Sequence, residues 1–181
     1  MTNKTIHLPI FSAIEINATN FKCTYNKTIW KYDFNGTPID LDINFYSLSE
    51  KNIALVAPAL ERLTEIHQIA EAAYLQDFEQ GKEAKEYIEE WRDDLLWDDF
   101  NEEEYTDFIK DTDPNLSLAR RLLSLIRVVR IGFYPDSPDT FVTVDFAFGY
   151  DDEEEQKGWR EHMIVVKLNS EFEVTEVCTE G

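Results

Sequence analysis

The stretch TIWKYDFNGTPIDLDINFY, Thr28 to Tyr46, decides how this chain begins to fold. At its centre Asn35-Gly36 supplies a two-residue turn of type I′. Both residues of that turn take positive φ, and Asn-Gly is the favoured pair for it. Before the turn, Trp30, Tyr32 and Phe34 share one face of a strand. After it, Ile39, Leu41, Ile43 and Phe45 point inward and alternate with outward Asp40, Asp42 and Asn44. Pro38 is tolerated near a strand start, where its missing N–H costs least. Segment 29–46 therefore reads as a β-hairpin, and an earlier strand is expected around Ala13–Ile16.

Working outward from the hairpin, the period changes from two to near 3.6. Leu60, Leu63, His67, Ala70 and Tyr74 follow helical spacing, with Ile66, Ile69 and Ala73 widening the stripe. Pro58 belongs in a first turn or bends the helix. Gly81 interrupts the pattern, and Ala84, Tyr87, Ile88, Trp91 and Leu95 form the next apolar face. Asn101 is a candidate cap for a short helix opened by Glu102, Glu103 and Glu104, acids that suit the positive end of the helix dipole. Asp113-Pro114 is expected to start another helix, lined by Leu118, Leu122, Leu125 and Ile126. Alternation then returns in Val129, Ile131 and Phe133; in Val142, Val144, Phe146 and Phe148; in Ile164, Val166 and Leu168; and around Phe172–Val177. Short turns at Pro135–Asp139, Asp151–Gly158 and Asn169–Ser170 make these strands antiparallel neighbours. The expected fold is α+β: an antiparallel sheet with an N-terminal hairpin, a central helical block and a C-terminal four-strand meander. No repeat or linker divides residues 1–181, so a single α+β domain is expected.

Several of these stretches resemble a known family. VVRIGFYPDSPDTFVTVDFAF (128–148), the acidic loop after it and HMIVVKLNSEFEVTEV (162–177) are similar to the C-terminal half of a family of uncharacterised bacterial proteins, a domain of unknown function. Its members carry a V-R-I-G-aromatic-Y-P-D stretch before a strand, then a VVK-(F/L) strand. The F-x-x-I at Phe11–Ile14 and IDLDINF at Ile39–Phe45 fit the same pattern, although Phe11-Ser12 stands where relatives often show Phe-Gly. The resemblance implies a fold and carries no catalytic residue with it.

The 181 residues bear a net charge of −20, and 43% are hydrophobic, so the chain is globular and strongly acidic. Such a charge repels nucleic acid and anionic membrane and attracts cations or basic proteins. It is unevenly spread: residues 51–113 sum to −13, residues 114–134 to +4 and residues 135–181 to −10. The positive island holds Arg120, Arg121, Arg127 and Arg130, which are expected to offset the acidic helices from within the molecule. The N-terminus lacks a signal-peptide core, and no apolar run is long enough to span a bilayer. Cys23 and Cys178 are too few and too distant for a disulfide framework, and are expected as free thiols in a cytoplasmic protein.

Familiar chemistry is absent from the pattern. Only six glycines occur, with no dinucleotide or phosphate loop and no nucleophile elbow. His67 with Glu71 at i+4 gives two metal donors where a zinc site needs more, so His67 is expected at the core edge. DLDIN at Asp40–Asn44 begins like a calcium loop, but Phe45 and Lys51 stand where such a loop needs Gly and Glu. DDEEE at Asp151–Glu155 reads as a solvated hairpin loop, with weak divalent-cation binding as the alternative. An enzyme using carboxylates as general acid and base would draw on Asp145, flanked by Val144 and Phe146. No catalytic residue, metal ligand or cofactor is assigned.

What stands out is WRDDLLWDDFNEEEYTDF, Trp91 to Phe108, with eight acids, one base and five aromatic residues. Trp91, Leu95, Tyr105 and Phe108 serve core stripes, and the acids take the complementary faces. A solvated face accounts for that arrangement, but not for the missing lysines, since helices ordinarily mix bases with acids at i,i+4. The expectation is therefore a non-catalytic acidic binding protein, of the immunity or inhibitor kind, that meets a basic protein partner. Its binding residues would be Trp97, Asp98, Asp99, Phe100, Glu102 and Glu103.

Overall fold

The computed structural model describes residues 4–8, 11–16, 26–45, 50–96, 102–137, 139–148 and 162–180. The hairpin forms as its sequence dictates. Strand β3 (Asn26–Phe34) pairs antiparallel with β4 (Thr37–Phe45), and Trp30 faces Leu41 across the ladder. Asn35 and Gly36 hold φ values of 53° and 85°, both in the left-handed region that a type I′ turn requires. The Asp33 carboxylate accepts the Gly36 N–H at 2.7 Å and closes the turn. Phe34, Leu41 and Ile43 are buried, as the alternation requires. Ahead of this hairpin stands a second, two-stranded sheet of β1 (Lys4–Leu8) and β2 (Phe11–Ile16). The strand expected around Ala13–Ile16 is β2; β1 has no counterpart in the sequence reading.

Among the described residues five helices follow: α1 (Glu50–Leu60), α2 (Leu63–Glu79), α3 (Glu83–Leu96), α4 (Glu102–Ile109) and α5 (Leu118–Leu123). Pro58 sits near the end of α1 rather than in a first turn, and the helix stops two residues later. The stripe on α2 is centred on Leu63, Ile66, Ala70, Tyr74 and Phe78, with His67 half-buried at its edge. After α2, Gly81 takes a φ of 72° and turns the chain. Buried Asp77 accepts the Ala84 N–H at 2.8 Å, satisfying one of the free donors at the start of α3. The expected start at Asp113-Pro114 is corrected. Asp113 accepts the Asn115 N–H in a local turn, while Ser117 caps α5 by accepting the Arg120 N–H. Asp and Ser both compete for such positions, and here the aspartate bonds its own turn first. Ile126, expected on that helix, belongs to the next strand.

Among the described residues the main sheet has six strands in the order β3-β4-β5-β6-β7-β8, adding β5 (Ile126–Phe133), β6 (Val142–Phe148), β7 (Met163–Leu168) and β8 (Val174–Glu180). Strands β5 to β8 form the expected antiparallel meander. At the seam, β4 and β5 run parallel, with Leu41 beside Ile131 and Ile43 beside Phe133. The helical block is thus the crossover that a parallel pair needs. On β5 the register slips between Val128 and Arg130, so Val129 is a bulge residue. The inward set is Ile126 and Val128 before the bulge, then Ile131 and Phe133 after it; the expected Val129–Ile131–Phe133 row loses its first member. Helices α2 and α3 cover the Val144–Phe146–Phe148 face of the sheet: Tyr74 lies 4.6 Å from Phe146 and Tyr87 stacks 5.9 Å from Phe148, between ring centroids. Strand β6 is buried along its whole length, on both faces.

Candidate functional site

The aromatic residues that flank the acidic run converge on one ring. Trp91 of α3 meets Phe148 edge-on at 5.2 Å, and Phe108 of α4 meets it at 5.8 Å. Edge-on and tilted pairs suit the quadrupoles of aromatic rings. Both helices therefore dock on the end of β6 through these rings. Trp97, Asp98, Asp99 and Phe100 lie outside the described residues, as do Asn101 and Asp151–Glu155. Glu102 and Glu103 occupy the first turn of α4, where the dipole favours acids.

The described surface of α3 and α4 is acidic. Glu83, Glu86 and Glu90 are exposed along α3, and Asp107, Asp111 and Asp113 are exposed from α4 onward. Lys85 answers Glu89 at 3.8 Å, and Lys110 answers Asp107 at 3.2 Å. None of α1, α2, α3 or α4 carries a basic residue in its last turn, where the negative end of the helix dipole favours one.

The arginine island disperses in the fold. Arg120 pairs with Glu79 of α2 at 2.6 Å, and Arg121 donates to the Ile109 carbonyl at the end of α4 at 2.9 Å. These two meet acidic helices as expected. Arg127 instead donates through Nη1 to the Ser124 and Ile126 carbonyls. Arg130 crosses to Asp145 on the sheet face away from α2 and α3, forming an ion pair in which the carboxylate is fully buried and the arginine 24% exposed. Asp145, the candidate acid–base residue, thus faces a cation inside a sheet rather than a cleft.

Sequence reading missed a cleft of about 300 Å³ where the hairpin tip, α2 and the start of β5 meet. Its apolar wall is Phe34, Ile126, Val128 and Phe146; its polar lining is Asn35, Thr37, His67, Glu71, Tyr74 and Arg127. The His67 ring lies between Phe34 at 5.2 Å and Phe146 at 5.8 Å. Burial pushes the Tyr74 phenol up to about 12; Glu71 adds to the rise and Arg127 offsets it. His67 and Glu71 were legible as an i,i+4 pair. Arg127 was not, because it joins them from more than fifty residues away.

At the far edge of the sheet, Lys167 bridges Glu176 and Glu180, each at 2.9 Å. Cys178 lies beside them on β8 and forms no disulfide; burial raises its thiol above the ordinary range. Cys23 lies outside the described residues. Among those residues no group of three or more His, Cys, Asp or Glu gathers as a metal site, and no helix is long and apolar enough to cross a membrane.

Fold and surface together define an acidic α+β protein. The chain matches no protein-family model, no curated protein and no solved structure.

Proposed function

We propose that this chain is a non-catalytic binding protein of the bacterial cytoplasm that holds a basic protein partner, as an immunity or inhibitor protein holds a toxin. The recognition surface is the connection between α3 and α4: Asp98, Asp99, Glu102 and Glu103 supply the charge, and Trp97 or Phe100 supplies the aromatic anchor. Complementary charge speeds encounter, while a ring inserted into a partner pocket slows dissociation. The observation that carries this reading is the absence of basic residues from the last turns of four successive helices beside exposed glutamates on α3. Self-repulsion of that kind opposes folding, and a basic partner would relieve it. The resemblance to the uncharacterised bacterial family belongs to the same proposal. Capture from a lysate of the native host tests it, with wild type compared against the variant Asp98→Asn, Asp99→Asn, Glu102→Gln, Glu103→Gln. A basic protein retained by wild type and lost from the variant supports the surface; equal retention by both would sink it.

A further inference from the structure

The cleft beside the hairpin carries two opposite charges that do not neutralise each other. Glu71 and Arg127 both line it, yet among the described residues they form no ion pair with one another. The guanidinium of Arg127 is steadied by the Ser124 and Ile126 carbonyls on Nη1, which leaves its remaining N–H groups for another acceptor. Tyr74 lines the same cleft and feels both charges. Its side chain is 4% exposed, and its hydroxyl makes no hydrogen bond to any described residue. The Tyr74 side chain lines the cleft, so its hydroxyl is placed to bond a group that enters from outside the protein. The wall behind these groups is apolar, formed by Phe34 and Phe146 with Ile126 and Val128.

Charge narrows the ligand. A simple anion would meet Glu71 and the −20 field of the whole chain, and a simple cation would meet Arg127. A net-neutral dipole meets neither penalty and satisfies both charges. A metal ion would find only His67 and Glu71, too few donors for a protein metal site. A volume of about 300 Å³ lies at the small end of ligand pockets. We propose that the cleft binds a free zwitterionic α-amino acid with an apolar side chain. Its carboxylate would lie on Arg127, its ammonium on Glu71, and its side chain against Phe34 and Phe146, with the Tyr74 hydroxyl bonded to the dipole. This site is separate from the acidic surface, and either can fail without the other.

Calorimetric titration of the full chain decides it, with L-phenylalanine and L-leucine as probes. Phenylacetate, which lacks the ammonium, phenethylamine, which lacks the carboxylate, and Zn²⁺ serve as rivals. At least one amino acid should bind saturably, and both truncated analogues should bind roughly tenfold more weakly or worse. Arg127→Gln should weaken the amino acid and leave phenethylamine unchanged, and Glu71→Gln should do the converse with phenylacetate. Tyr74→Phe keeps the ring on Phe146 and should weaken binding roughly threefold to tenfold. Absence of saturable binding by either amino acid up to about 10 mM would overturn the proposal. So would phenylacetate binding as tightly as phenylalanine, which marks an anion site, or Zn²⁺ binding lost in His67→Ala, which marks a metal site.

Discussion

Asp145 is fully buried in the middle of β6, where its carboxylate meets the Arg130 guanidinium. Strand register sets the pair: Arg130 faces Asp145 across β5 and β6, with Val165 on the other side. Replacing Arg130 by Met keeps the stem and removes the charge. That change should destabilise the fold by about 3 kcal/mol, because the buried carboxylate loses the cation that faces it. Thermal unfolding reads the loss, and adding Asp145→Val should recover part of it, a coupling that independent sites would not show. Tyr74 gives a second prediction at this scale. Its phenol is raised from 10.0 to about 12 in the folded chain. Below pH 10 both states hold the proton, and stability is unaffected. Between about 10 and 12 only the unfolded chain loses it, so stability falls with pH by at most about 1.4 kcal/mol per unit. Tyr74→Phe should make that alkaline decline shallower in pH-dependent denaturant melts; an unchanged slope would contradict the desolvation of the phenol.

Elements were legible where local chemistry decides them. Asn35-Gly36 announced its hairpin because few pairs accept positive φ twice. Gly36→Ala should cost about 1 kcal/mol from backbone conformation alone, since an added Cβ meets nothing within 4 Å. Denaturant unfolding checks it, and a cost well above that would mean hidden packing at the turn. The start of α5 was misread because two capping residues stand four apart, and sequence does not rank them. Ser117→Ala should lower stability by about 1 kcal/mol through the lost cap, whereas Pro114→Ala should change it by less than about 0.5 kcal/mol. Equal losses would return the helix start to Asp113. The bulge at Val129 and the parallel seam of β4 with β5 left no local trace. A bulge shifts register without changing composition, and the seam joins strands separated by the whole helical block. The cleft was hidden for the same reason: α2, the hairpin tip and β5 meet only in the folded chain.

At the scale of the whole molecule, charge is the dominant signal, and it was fully legible: composition alone gives −20 and places −13 of it in residues 51–113. What composition could not show is how the fold spends its few cations. Arg121, Arg127 and Arg130 reach carbonyls and Asp145, and Arg120 pairs with Glu79 of α2. Residues 51–113 carry a net −13, so raising salt from about 0.05 to 0.5 M should raise the melting temperature by screening repulsion. A melting temperature that falls over that range would mean the surface charges are already paired. The most direct measurement of recognition through residues 97–103 is the association rate with a captured basic partner across ionic strength. Wild type should bind fast at low salt and slow steeply as salt rises. The variant Asp98→Asn, Asp99→Asn, Glu102→Gln, Glu103→Gln should associate roughly tenfold more slowly at low salt, with a flattened salt dependence and an intact fold. An unchanged association rate and salt slope would show that the acidic run is only a solvated face.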